Sequence, residues 1–345
     1  MVHWAEDPDI LARSIWDQNK QTFESTIFPE AQPFNTGHLL VDPDTGQSLY
    51  FEEFGRSDWK AAGIRTVVYL HGGPGAGQSP YFHRFFDPAE FHIVVYDQRG
   101  APKSARPALT QNNTPDLLVE DNEQLRRHLA IDQWHVFGGS WGSTLALLYA
   151  EKCPDAVASL TLRGIFLMRP REIDWFLTGM GGFFPEARRD FEAYLPEADR
   201  TTLLKSYWER LTDPDHGVHI PAAQAWAAYE NSCCFRHIPP VAERNDTPGE
   251  DLCTARLEAE FLLKYPLGDR ILEDVARIRR IPTLIVQGRH DVVCPPATAY
   301  ELAEAMGDSS RLLLVDAGHS AKEPDIAKAL VEAANRIRDT GTPLP

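Results

Sequence analysis

The chain has 345 residues, more than one small hydrophobic core organises, so one large domain carrying an insertion, or two domains, is expected. Its 34 Lys and Arg against 50 Asp and Glu leave a formal charge of −16, which argues against a nucleic-acid partner. No apolar run approaches the roughly 20 residues of a membrane span, and the opening Met1-Val2-His3-Trp4-Ala5-Glu6-Asp7 has neither the basic nor the apolar region of a secretory signal; a cytoplasmic protein with no membrane partner is expected.

Residues 1 to 34 are polar, with helical hints only. His38–Val41 and Gln47–Phe54 flank Asp42-Pro43-Asp44-Thr45-Gly46 and predict two antiparallel strands around a turn. Arg65–Leu70 and Phe91–Tyr96 are continuous β-branched and aromatic runs, suited to strands buried on both faces. The first ends in His71-Gly72-Gly73-Pro74-Gly75, the second in Asp97-Gln98-Arg99-Gly100. The spacing of Leu117, Leu118, Leu125 and Leu129 predicts an amphipathic helix over 116–129. A buried strand over Trp134–Phe137, a helix over Thr144–Ala150 and a strand over Ser159–Gly164 follow. Strands alternating with helices imply a mostly parallel α/β sheet. From about Arg169 to Pro266 strands disappear, and Trp, Tyr and Phe crowd among short helical segments, as expected of a helical insertion. The strand pattern resumes in Pro282–Gly288 and Arg311–Val315, and a last helix is predicted over 325–338. Five cysteines (Cys153, Cys233, Cys234, Cys253, Cys294) form no CxxC pair, and twelve histidines fall without ligand spacing, so neither a disulfide frame nor a metal site is expected.

Between the strand at 134–137 and the helix at 144–150, Gly138, Ser140 and Gly142 fit G-x-S-x-G. This pattern marks a sharp strand-to-helix turn that presents a serine hydroxyl, and glycine is needed where a side chain would collide with that turn. A serine hydroxyl is a poor nucleophile near neutral pH. It needs an imidazole to take its proton, and the imidazole needs a carboxylate to fix its tautomer and stabilise its cation. Asp291 and His319 follow later strands, in the order Ser, Asp, His, and parallel sheets gather such strand ends on one side. The His71–Gly75 loop and the residue after the nucleophile would supply oxyanion donors: the N–H of Gly73, with Gly72 the alternative, and that of Trp141. A phosphate-binding loop is the rival, but no GK[ST] follows the glycines.

HGGPG at 71–75, DQRG at 97–100 and GGSWGS at 138–143 together resemble the proline iminopeptidases, serine peptidases of the α/β-hydrolase fold. The resemblance continues through Leu162-Arg163-Gly164-Ile165-Phe166, Glu172-Ile173-Asp174-Trp175, Asp291-Val292-Val293-Cys294-Pro295 and Gly318-His319-Ser320. It implies a mostly parallel eight-stranded sheet, with the hydrolase core in 1–168 and 267–345 and a helical cap over 169–266. It also implies release of an N-terminal proline from peptides with a free N-terminus, without metal or organic cofactor. An exopeptidase must recognise an ammonium group, and the family does so with two cap glutamates. Ala225-Trp226-Ala227-Ala228-Tyr229-Glu230 and Glu258-Ala259-Glu260-Phe261-Leu262 place that role on Glu230 and Glu258. Phe166, Phe176, Leu262 and Cys294 match positions lining the pocket for the proline ring.

Three departures stand out. Leu262 replaces an aromatic. Glu260 replaces a histidine and would add negative charge beside Glu258. Pro102, in the loop after DQRG, stands where glycine is usual. An esterase or amidase of the same fold, acting on small acyl or aminoacyl substrates, is the alternative enzyme; it would use the triad without needing the glutamates. A non-catalytic binding protein would need neither. Nothing in the sequence sets an oligomeric state.

Overall fold

A computed structural model describes residues 8–237 and 247–345. The first seven residues of the polar N-terminal stretch, and 238–246 within the predicted insertion, lie outside the described residues. The strands are β1 (Asn35–Asp42), β2 (Gln47–Gly55), β3 (Arg65–Leu70), β4 (Phe91–Asp97), β5 (Trp134–Gly139), β6 (Val157–Arg163), β7 (Thr283–Gly288) and β8 (Ser310–Val315). They form one eight-stranded sheet in the order β1-β2-β4-β3-β5-β6-β7-β8. The β1–β2 and β2–β4 pairs are antiparallel and the rest parallel, so the predicted hairpin opens an otherwise parallel sheet.

Helices cover both faces. They are α1 (Pro8–Thr26), α2 (Trp59–Ala62), α3 (Pro115–His128), α4 (Trp141–Lys152), α5 (Pro170–Leu177), α6 (Pro185–Tyr194), α7 (Leu203–Leu211), α8 (His216–Cys233), α9 (Pro248–Lys264), α10 (Arg270–Asp274), α11 (Pro296–Met306) and α12 (Pro324–Thr340). Successive strand residues point to opposite faces. Val68, Leu70, Val94 and Val136 therefore pack with α3, α4 and α11, while Val67, Tyr69, Ile93, Val95 and Phe137 pack with α1 and α12. That double burial is why β3 to β5 read as unbroken apolar runs. Helix starts follow local chemistry. Thr114 caps α3 by accepting from the Leu117 N–H at 3.3 Å, and Pro115 occupies the first turn, where its missing N–H is harmless.

Between β6 and β7 the chain forms α5 to α10 and no strand among the described residues. The cap helices α5 to α9 build a separate apolar cluster in which Phe191 stacks on Tyr207 at 4.3 Å and on Tyr229 at 4.5 Å between ring centroids, with Trp226 beside them. Aromatic pairs of this kind stabilise beyond their buried area. The segment is fastened to the sheet by Arg169, whose buried guanidinium reaches Glu172 and, at 2.7 Å, Glu301 on α11. Trp175 Nε1 also donates to Val292 O at 2.7 Å. Helix α9 lies over the glycine loop. A Cβ on Gly75 would sit 2.5 Å from Cys253 O, so the loop needs glycine where the helix comes close; Gly100, with φ 73°, lies against Leu257 of the same helix.

Candidate active site

Ser140 joins β5 to α4 with φ 57° and ψ −127°, a sparsely populated conformation for a residue with a side chain. Its N–H donates to Arg163 O at 2.9 Å, and its carbonyl accepts from the Ser143 N–H and hydroxyl at 2.8 and 2.7 Å. A Cβ at Gly138 would strike Gly142 O, and one at Gly142 would strike Leu70 O. The turn is therefore closed by backbone on both sides of the serine.

His319 follows β8 and Asp291 follows β7. His319 Nδ1 donates to Asp291 Oδ2 at 2.8 Å. Asp291 Oδ2 also accepts from Gln287 Nε2 at 3.1 Å, and Oδ1 accepts from the Cys294 N–H at 2.8 Å. Gly164 makes room for the pair, since a Cβ there would sit 2.9 Å from His319 Cε1. The other ring nitrogen, Nε2, lies 3.1 Å from Arg163 Nη1, which also donates to His319 O at 2.8 Å. Arginine only donates, so this contact keeps a lone pair on Nε2 and the proton on Nδ1. Among the described residues no hydrogen bond joins Ser140 Oγ to His319; such contacts are often long until substrate is bound.

Gly72 and Gly73 face this constellation. A Cβ on Gly72 would sit 3.3 Å from Ser140 Cβ, and Gly73 has φ 102°. Neither the Gly73 nor the Trp141 N–H donates to a backbone or side-chain acceptor among the described residues. His71 anchors the loop. Its Nε2 accepts from the Gln98 N–H at 3.0 Å, its Nδ1 donates to Gly72 O at 2.8 Å, and its carbonyl accepts from Gln98 Nε2 at 2.9 Å. Burial pushes the His71 pKa down, which favours this neutral ring. Gln98 Oε1 in turn accepts from Trp141 Nε1 at 2.9 Å. The HGGPG, DQRG and GGSWG motifs are thus parts of one hydrogen-bonded unit.

The cap sets Glu230 of α8 and Glu258 of α9 beside each other, within range of His319. Trp226 Nε1 donates to Glu258 Oε2 at 2.7 Å. Burial pushes Glu258 well above the usual carboxylate range, and the neighbouring Glu230 charge adds to it; burial raises Glu230 as well. Phe176, Leu262 and Cys294 belong to the apolar cluster around Trp226, and Phe166 packs against that cluster. The Phe176 and Trp226 ring centroids are 5.6 Å apart. Burial and the charge of Asp291 keep Cys294 well above the normal thiol pKa.

One expectation is corrected. Glu260 adds no uncompensated charge beside Glu258. It is buried, its carboxylate meets Lys264 Nζ at 2.8 Å, and it accepts from Trp208 Nε1 at 2.5 Å. Residues two apart on a helix point roughly 200° apart around its axis, so the two glutamates face different surroundings. Arg163 and Trp226, which lie in the quoted motifs without an assigned role, and Gln287 are further contact residues of the site. Among the described residues no cluster of His, Cys, Asp or Glu is arranged to hold a metal ion, and no helix is long and apolar enough to cross a membrane.

Comparison with known proteins agrees with this architecture. Residues 65–325 match the family model described as alpha/beta hydrolase fold. The proline iminopeptidase of Arabidopsis thaliana is 41% identical over 321 residues, which is 91% of this chain and 82% of that protein. This chain belongs to the proline iminopeptidase family. Another member, the proline iminopeptidase of Neisseria gonorrhoeae, is 42% identical over 311 residues, covering 89% of this chain and 97% of that one. Among solved structures, the Mycobacterium smegmatis proline iminopeptidase superposes with a TM-score of 0.54 at 19% identity, covering 89% of this chain and all (100%) of that one. VinJ gives a TM-score of 0.59 at 21% identity, covering 90% and 99%. At those identities the likeness shows the fold alone. Proline iminopeptidases are enzymes, and this member is a serine hydrolase.

Proposed function

We propose that this protein releases the N-terminal residue, proline by preference, from peptides with a free N-terminus, working in the cytoplasm. The observation that carries the proposal is the Glu230–Glu258 pair set beside the His319–Asp291 pair. Two carboxylates enclosed together are costly unless a cation joins them. A substrate ammonium is that cation, and it positions the first residue's carbonyl at Ser140. Phe166, Phe176, Leu262 and Cys294 form the apolar side against which its ring packs.

In this mechanism His319 Nε2 exchanges its contact with Arg163 for Ser140, whose Oγ bonds to the carbonyl carbon while its proton passes to Nε2. The oxyanion is held by the N–H groups of Gly73 and Trp141. Collapse of the tetrahedral intermediate breaks the C–N bond, and His319 returns the proton to the leaving nitrogen. Water then attacks the acyl-enzyme, giving its proton to His319, and Ser140 recovers a proton as the free amino acid departs. Asp291 orients the ring and stabilises its cation throughout. The core (1–168 and 267–345) supplies the chemistry and the cap (169–266) supplies recognition of the amine. Turnover of proline anilide compared with an uncharged ester of similar size tests the proposal: a preference for the charged substrate supports it, and a preference for the ester contradicts it.

A further inference from the structure

A cavity of about 910 Å³ opens beside the nucleophile. It starts at Gly72 and runs between Gln78, Tyr81, Phe23 of α1, Phe235 and Lys322; Glu230, Glu258 and Trp226 are not among its walls. Lys322 lies three residues past His319. In acyl transfer the histidine must reach the leaving nitrogen, so the departing chain lies on the histidine's side. Two walls of the cavity adjoin the reacting residues: a Cβ on Gly72 would sit 3.3 Å from Ser140 Cβ, and Glu323 Oε1 lies 3.2 Å from a Cβ placed on Gly318, the neighbour of His319.

Two of its side chains suit such an occupant. The Gln78 backbone is fixed by its N–H, which donates to Asp97 Oδ1 at 2.8 Å. Its side-chain Oε1 and Nε2 are both buried without a partner among the described residues. An amide left so loses free energy that a ligand with a matching donor and acceptor restores. A peptide group is such a ligand, offering one C=O and one N–H. Lys322 places its ammonium 5.3 Å from the Tyr81 ring centroid and forms no ion pair among the described residues. Two other cations on these walls are engaged: Arg84 with Glu24 at 2.9 Å and Lys103 with Glu52 at 3.5 Å.

We propose that this cavity binds the leaving part of the substrate, with Gln78 pairing to a peptide group beyond the scissile bond and Lys322 to the terminal carboxylate of a short peptide. The proposal rests on the aminopeptidase reading above. The substrates it selects are di- and tripeptides, whose carboxylates follow the scissile bond within roughly 3.5–7 Å of extended chain.

The test uses three substrates with the same first residue: Pro-Ala-Ala, its C-terminal amide, and proline anilide. Ratios of kcat/KM taken within one preparation cancel any loss of folded enzyme. The wild type is expected to favour the free acid over the amide by about tenfold, as a charge-assisted contact gives. Lys322→Gln should bring that ratio to about one, and Gln78→Leu should lower the tripeptide-to-anilide ratio by about tenfold or more. Equal use of acid and amide by the wild type, or ratios unmoved in the variants, overturns the proposal. The aminopeptidase reading is judged separately by whether the wild type cleaves proline anilide at all.

Discussion

Asp291 and Glu258 are both buried carboxylates, and the sheet and the cap treat them differently. At the strand ends Asp291 takes hydrogen bonds from His319, Gln287 and the Cys294 backbone. In the cap Glu258 takes one from Trp226 and otherwise meets another carboxyl group. The first carboxylate finds all these partners within the protein, which on the proposed mechanism fixes geometry for catalysis. The second lacks a cation, so its charge state depends on what binds. On the proposed reading, a single site thus separates a preorganised reaction centre from a recognition centre that substrate completes.

Variants that remove one centre and spare the other sharpen this contrast. Ser140→Ala removes the nucleophile and should lower kcat by roughly 10⁴- to 10⁶-fold on every substrate, with the fold retained by circular dichroism. Turnover near the wild-type value would break the assignment of the reaction centre. Glu258→Gln acts on the cap alone. For a free-amine substrate it should lower kcat/KM by at least about tenfold, or ~1.4 kcal/mol, and it should matter little for a neutral ester. An equal loss on both substrates would make Glu258 a structural residue.

The same contrast has a pH signature. Burial raises the pKa values of Glu230 and Glu258, which favours a proton on the pair that an incoming ammonium would displace. The kcat/KM for free-amine substrates should therefore rise with pH as the pair ionises, and fall again as the substrate amine loses its own proton. In Glu258→Gln the rising limb should flatten; a limb unchanged in the variant would assign it to another group. Cys294→Ser should keep most of the turnover, because this residue supports Asp291 through its backbone N–H. A loss beyond about tenfold would give the sulfur itself a role.

The smallest effect lies outside both centres. Glu151, buried on α4, has its pKa pushed up by burial to about 8. The folded state then holds a proton that the unfolded chain releases near its ordinary pKa, so stability falls as pH rises between about 4.5 and about 8. Glu151→Gln should raise Tm above that window and change it little below it. Equal Tm shifts at pH 5 and pH 9 would contradict the assignment.

The proposed reaction centre is more legible in the sequence than the cap. Ser140, Asp291 and His319 each follow a strand with a recognisable apolar run, and parallel sheets gather such ends. Arg163 and Gln287 were hidden because their partners depend on strand order. The pairing of β6 with β7, Arg163 opposite Val286, is what carries them to the residues after β7 and β8. The cap glutamates came only from the family resemblance. A helix glutamate facing solvent and one facing another carboxylate look alike in sequence, and so do Glu258 and Glu260, which the helix turns into different environments.

The most direct measurement is the kcat/KM of the wild type on proline anilide and on N-acetylproline anilide. The acetylated substrate carries no ammonium, leaves Glu230 and Glu258 without a cation, and should not be cleaved detectably. Cleavage of both at similar rates would contradict the amine-recognition site and, with it, the account of an aminopeptidase.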